Sequence, residues 1–137
     1  MLERGRYEQA EELYARALAI REQVLEPEHV DLSLSLDRLA LLYQYRGKYE
    51  QAASLYQRAL AIREQQLGPN HPDTATSLNN LAGLYREQGK YPEAEPLFQR
   101  ALTICEQQLG ASHPTTKIVR QNYTSLLQDF SPQNEKN

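Results

Sequence analysis

One cysteine stands among the 137 residues of this chain. A lone thiol cannot staple a chain to itself, so Cys105 fits a reducing compartment and leaves no room for a disulfide framework. No apolar run approaches the ~20 residues that a membrane-spanning helix needs, and the opening "MLERGRYEQA" lacks the apolar core of a secretory signal. The expected setting is cytoplasmic, with no membrane partner. Positive charge is not concentrated either: 15 basic residues are interspersed with 18 acidic ones, for a net charge of -3. Nucleic acids and anionic membranes are held by clustered Lys and Arg, so no nucleic-acid partner is expected. There is no phosphate-binding loop, nucleophile elbow or zinc signature. Nucleophile, base and oxyanion donors are not found together. The expectation is a chain that is not an enzyme and carries no cofactor.

What the chain does have is a repeat. "GRYEQAEELYARALAIREQVLEPEH" begins at Gly5, "GKYEQAASLYQRALAIREQQLGPNH" at Gly47 and "GKYPEAEPLFQRALTICEQQLGASH" at Gly89, a constant spacing of 42 residues. The first two agree at 18 of 25 aligned positions and the last two at 16 of 25, so one unit has been duplicated. Each unit contains two amphipathic patterns. Tyr49, Ala52, Tyr56, Ala59, Leu60 and Ile62 recur at helical spacing, and so do Ala75, Leu78, Leu81, Ala82 and Tyr85. Gly47 and Gly89 are placed to stop the helices before them. In "LGPNHPDT", Pro72 suits a first helical position and Asp73 sets a negative charge at the positive helix end. Pro96 would crowd a helix interior, which predicts a helix start near Pro92 or Glu93. Ala52, Ala59, Ala94 and Ala101 allow close helix approach, and Tyr56 and Phe98 fill the space between layers.

Leu81, Ala82, Tyr85, Gly89, Ala94, Phe98 and Ala101, matched by Leu39, Ala40, Tyr43, Gly47, Ala52, Tyr56 and Ala59, resemble the tetratricopeptide pattern. The half-set Gly5, Ala10, Tyr14 and Ala17 continues it. The usual period is about 34 residues; the period of 42 and the wording "HPDTATSLNNLAGLYREQGKY" are similar to the kinesin-light-chain-like subclass. The resemblance implies an all-α, right-handed superhelix, a solenoid of antiparallel helix pairs with about six helices. The frame is a single array over 1–130: a half repeat at 1–28, full repeats at 29–70 and 71–112, a terminal helix at 113–130, and a disordered tail at 131–137. The opening helix is expected from Arg6 to about Leu25, and "MLERG" resembles the end of a preceding helix, as in a longer array. The closing helix has Leu127 and Ser131 where tyrosine and glycine stood, which suits a polar cap.

His29, His71 and His113 repeat with the unit. Equivalent positions in successive repeats lie ~10 Å or more apart, too far to share one ion, so they are expected at turns and not around a metal. Cys105 aligns with Arg21 and Arg63, which predicts a partly exposed, unactivated thiol.

In tetratricopeptide arrays the first helix of each pair lines a concave groove. At 100° per residue, Thr76, Asn79, Asn80, Gly83 and Glu87 lie opposite the packing stripe. Their equivalents are Leu34, Asp37, Arg38, Leu41 and Tyr45 before, and Ile118, Gln121, Asn122, Ser125 and Asp129 after. Amides can donate and accept at once, as reading a peptide backbone requires. A glycine inside a helix costs ~1 kcal/mol relative to alanine, so Gly83 needs either a ligand or a close backbone approach to compensate. The expected function is a protein-interaction adaptor that binds a peptide or partner segment in this groove. The alternative is self-assembly into a homo-oligomer: the unpaired helices at the two ends would dock head to tail or swap. The apolar residues Tyr7, Ala10, Leu13, Tyr14, Ala17 and Leu18 of the opening helix would be the face involved.

Overall fold

A computed structural model describes residues 4–24, 26 and 29–135, with side chains described for 5–24, 26 and 29–130. Six helices and no strand occur among the described residues: α1 (Arg4–Val24), α2 (Asp31–Tyr45), α3 (Tyr49–Leu67), α4 (Pro72–Glu87), α5 (Tyr91–Gln108) and α6 (Pro114–Glu135). The chain falls into two compact units, Met1–Gly68 and Pro69–Asn137, with α1 to α3 in the first and α4 to α6 in the second. We call α2, α4 and α6 first-of-pair helices and α1, α3 and α5 second-of-pair helices.

Local chemistry sets the helix ends. Gly47 and Gly89 adopt φ of 75° and 77°, a left-handed turn that side chains with a Cβ resist. The turn lets Lys48 N–H reach the Tyr43 carbonyl and Lys90 N–H reach the Tyr85 carbonyl, both at 2.8 Å. The same two lysines rest over the rings of Tyr43 and Tyr85, at 5.5 and 5.9 Å from the centroids. At the starts, the expected turn role of the histidines becomes specific. His29, His71 and His113 each turn Nδ1 onto the backbone N–H two residues on, at 3.1, 3.0 and 3.1 Å. Each ring thus satisfies a donor that the first helical turn leaves without a partner. His71 is the N-cap of α4, and His29 and His113 hold the first turns of α2 and α6 by the same bond.

In the first unit Leu18, Leu32, Leu36, Leu39, Ala59 and Ile62 form a buried cluster, joined at its edge by Ala15, Tyr43 and Leu55. In the second, Ala82, Ala94, Phe98 and Leu126 do the same, with Tyr85, Tyr91, Leu97 and Tyr123 around them. Ala52, Ala59, Ala94 and Ala101 are fully buried, as close helix contact requires. Tyr56 is also buried, and its hydroxyl donates to Gln44 Oε1 at 3.0 Å.

Several expectations need correction. Helix α5 begins at Tyr91, one residue before the expected start, and Pro96 lies inside it. The missing N–H of Pro96 leaves the Pro92 carbonyl without its intrahelical donor, but both residues are exposed, so water can serve it. Gly5 lies within α1 and not at a helix end; Met1–Glu3 and Leu25 lie outside the described residues. Helix α6 runs on to Glu135, through most of the segment expected as a tail. Ser131 stands where Gly47 and Gly89 stop α2 and α4, so no left-handed turn halts the helix. The helix continues through Pro132, whose missing N–H costs it one backbone bond, while each of the other residues adds one. Residues 136–137 lie outside the described residues.

Cys105 is the clearest reversal: it is fully buried. Its position faces a neighbouring helix, not solvent. Arg21 donates from there to Ser35 Oγ at 2.7 Å, and Arg63 to Asp37 Oδ2 at 2.6 Å. Two arginines made the position read as polar surface, whereas their guanidinium groups reach across to the next helix. Burial pushes the Cys105 thiol pKa up, which keeps it neutral and unreactive.

Candidate peptide-binding faces

The second unit holds the larger part of the expected groove. Asn79, Asn80, Gly83 and Glu87 lie along α4, and Ile118, Gln121, Asn122, Ser125 and Asp129 along α6. Two cross-links join these helices. Asn122 Nδ2 donates to Asn79 Oδ1 at 3.2 Å. Two turns further on along both helices, Arg86 donates to Asp129 Oδ2 from Nε at 2.9 Å, with Nη2 at 2.7 Å. Gly83, Arg86, Glu87 and Asp129 line an open cavity of about 270 Å³. A Cβ added at Gly83 would meet nothing within 4 Å. Of the two compensations expected for that glycine, close backbone approach is therefore removed; its missing side chain goes into open space on the cavity wall. Thr76 lies further out on α4, exposed, with Oγ1 donating to the Pro72 carbonyl at 3.3 Å. Ile118 and Gln121 are exposed, while Asn79, Asn80, Asn122 and Ser125 are half-buried.

In the first unit, Leu34, Arg38, Leu41 and Tyr45 are exposed along one face of α2. The Tyr45 ring is flanked by Tyr7 of α1, with centroids 6.0 Å apart. Asp37 does not belong to that face. It is buried, committed to Arg63 through Oδ2, and its Oδ1 has no hydrogen-bond partner. Burial pushes the Asp37 carboxyl above its usual pKa range; the charge and hydrogen bond of Arg63 pull against that without cancelling it. Its counterpart 42 residues on is Asn79, and the counterpart of Arg63 is Cys105. The second unit has thus replaced both charges at once, and Asn79 turns to Asn122 instead.

Sequence reasoning missed Arg86 as a wall of the cavity. Its signal was available, since it lies three residues after Gly83 and so on the same side of the helix. Only the structure shows that it meets Asp129, 43 residues away.

The sequence profile described as Tetratricopeptide repeat matches residues 1–65, 34–107 and 73–130. The chain belongs to the tetratricopeptide repeat family. Its repeats are kinesin-light-chain-like, and its fold is the all-α one of that family. Two crystal structures of nearly identical TPR-like repeats from Podosopora anserina, described as kinesin light chain, are 27% identical to it, with TM-scores of 0.78 and 0.76. They match 96% of this chain and 62% of their own length. The crystal structure of BtubC (BKLC) from P. vanneervenii is 30% identical over 91% of this chain and 49% of its own, with a TM-score of 0.79. The chain thus spans less than two thirds of each of these relatives. No curated protein matches it. Tetratricopeptide repeats are protein-interaction modules without chemistry of their own. Among the described residues no helix is long and apolar enough to cross a membrane.

Proposed function

We propose that this chain is an adaptor that takes an extended peptide or partner segment along the exposed faces of α4 and α6 in its second unit. The observation that carries the reading is the Asn79 to Asn122 pair. One hydrogen bond holds the two amides in place and leaves an NH₂ on one and a carbonyl on the other, a donor and an acceptor set between two helices. A peptide backbone offers the complementary pair. Gly83 opens the space beside them. In the first unit, Leu34, Leu41 and Tyr45 of α2, with Arg38 among them, present an exposed face of their own that offers contact to apolar side chains of a partner segment.

Peptide-library selection against the full chain tests this. Asn79→Ala with Asn122→Ala should leave helicity unchanged and weaken selected peptides about tenfold or more, since each hydrogen bond lost at a binding site is worth roughly 1 kcal/mol. Selected peptides that bind the double variant equally well would remove the amide pair from the site.

Self-assembly by pairing α6 with α1 of another copy has less support. By the 42-residue spacing, Arg120 and Leu127 stand where Leu36 and Tyr43 pack with α3, and Thr124 stands where Ala40 does. Arg120 and Thr124 make that face of α6 more polar than its counterpart on α2, which disfavours such pairing.

A further inference from the structure

The two cross-links between α4 and α6 frame a window, with the Asn79 and Asn122 amides at one end and the Arg86 and Asp129 ion pair at the other. Gly83 lies between them, one turn beyond Asn79 on α4, and opens the wall of the cavity. That wall carries three charged residues, basic Arg86 and acidic Glu87 and Asp129. The acids stand 42 residues apart and so hold the same register on α4 and α6. The arginine has no such counterpart, since Gln44 and Gln128 occupy its register.

One guanidinium set against two carboxylates leaves the wall with one negative charge in excess. Nε and Nη2 of Arg86 both meet Asp129 Oδ2, and neither is paired with Oδ1. An ionised carboxylate has about four acceptor sites, so Asp129 can take a further donor beside the guanidinium. The two side chains of the pair are 33% and 42% exposed, so a group can enter from solvent without breaking a buried contact. A third carboxylate there would face two of its own sign. An apolar side chain would strip water from charged groups with no compensating bond. An ammonium brings three donors on a long flexible stem.

Spacing points to the same occupant. Four helical residues separate Asn79 from Gly83, about 6 Å at 1.5 Å each. Two residues of an extended peptide span about 6.6–6.8 Å, and alternate side chains point to one side. A backbone held by the two amides and running along α4 therefore sets a side chain two residues away at the mouth of the cavity. We infer that the α4 and α6 site selects segments with a lysine at that position, its ammonium received by Asp129 and Glu87. The inference rests on the adaptor reading and adds the chemistry that decides which segments are taken.

The test uses the full chain and three immobilised heptapeptide pools with blocked termini. The central residue is lysine, Nε-acetyl-lysine or glutamate, and every other position is drawn from uncharged residues. Acetylation keeps the stem and removes the charge. At low salt, half-saturation on the lysine pool should fall at a concentration about fivefold below that on either other pool, the upper end of what an exposed charge pair contributes. Glu87→Gln with Asp129→Asn leaves Arg86 as the charge on the wall and should turn the preference towards the glutamate pool, with far-ultraviolet circular dichroism unchanged. Equal binding to the lysine and acetyl-lysine pools overturns the inference and leaves the adaptor reading standing. A lysine preference that survives the double variant also overturns it, because the net charge of the chain and not the cavity would then be its source. Binding to none of the pools removes the adaptor reading, and the inference with it.

Discussion

Replacing Arg63 alone strands the Asp37 carboxylate, and the cost can be worked from its surroundings. The two side chains are 9% and 11% exposed and meet at 2.6 Å, while Asp37 Oδ1 already lacks a partner. Breaking a buried pair by removing one member costs about 3–5 kcal/mol, because a charge is left uncompensated. Arg63→Cys should fall near the lower end, about 3 kcal/mol at pH 7, since the carboxyl can escape by taking up a proton. The pKa of Asp37 is already raised by burial in the intact pair, and without Arg63 it rises further. A group whose folded pKa lies above its unfolded one loses stability as pH rises through the folded value. The Arg63→Cys penalty should therefore shrink as pH falls towards about 4, the unfolded range of aspartate. Asp37→Asn keeps an acceptor for Arg63 but leaves the guanidinium charge buried, for about 1–3 kcal/mol. Together the two changes install the Asn and Cys that the next repeat carries at these positions. The volume lost at residue 63 enters the Arg63→Cys and double variants equally and cancels from the coupling. Urea unfolding followed by far-ultraviolet circular dichroism should give a double variant more stable than the sum of the singles by about 2 kcal/mol. Additivity within about 0.5 kcal/mol, or an Arg63→Cys penalty that does not change with pH, would refute the argument.

Other outcomes follow from the same geometry. Gly83→Ala should stabilise the chain by about 1 kcal/mol, as an unobstructed glycine in a helix interior, and should weaken any peptide that reaches the cavity; thermal unfolding and peptide titration read the two effects separately. His71→Ala removes the cap on α4 and should cost about 1 kcal/mol, or roughly 3 °C of melting temperature, with His71→Asn recovering most of it. At Glu11, burial pushes the carboxyl pKa up, but the hydrogen bonds and charges of Arg46 and Lys48 prevail and leave it lowered. Its stabilisation is therefore present above the unfolded pKa and lost as pH falls through the folded one. Glu11→Gln should be less stable than the parent at pH 7, and the difference should close in acid below about pH 4.

The legible parts of the chain were those with local causes. Helix type follows from apolar spacing, and the stops at Gly47 and Gly89 follow from a backbone conformation that glycine adopts cheaply. The duplicated unit carried the family with it. Reading a face at 100° per residue also placed Leu34, Arg38, Leu41 and Tyr45 in solvent, where they are. The same wheel failed at Asp37, and alignment with two arginines failed at Cys105. The wheel assigns a direction but not what lies in that direction, and a neighbouring helix there turns a polar surface position into an interior one. For α6, a polar segment interrupted by Pro132 read as a frayed tail, yet the helix runs through that proline to Glu135, and Ser131 in place of glycine offers no left-handed turn to stop it.

From sequence alone came the repeat, the helix pairs and the register of every residue within them, because these depend on neighbours three or four positions away. The tertiary structure decided which equivalent positions are truly equivalent. Tyr14, Tyr56 and Phe98 occupy the same register, and one lies in solvent while two are buried. Arg63 and Cys105 also share a register, and one holds a charge pair where the other holds none. Burial, pairing and the openness of a face belong to what packs against a residue, and in a chain of repeats that partner lies a helix or more away in sequence.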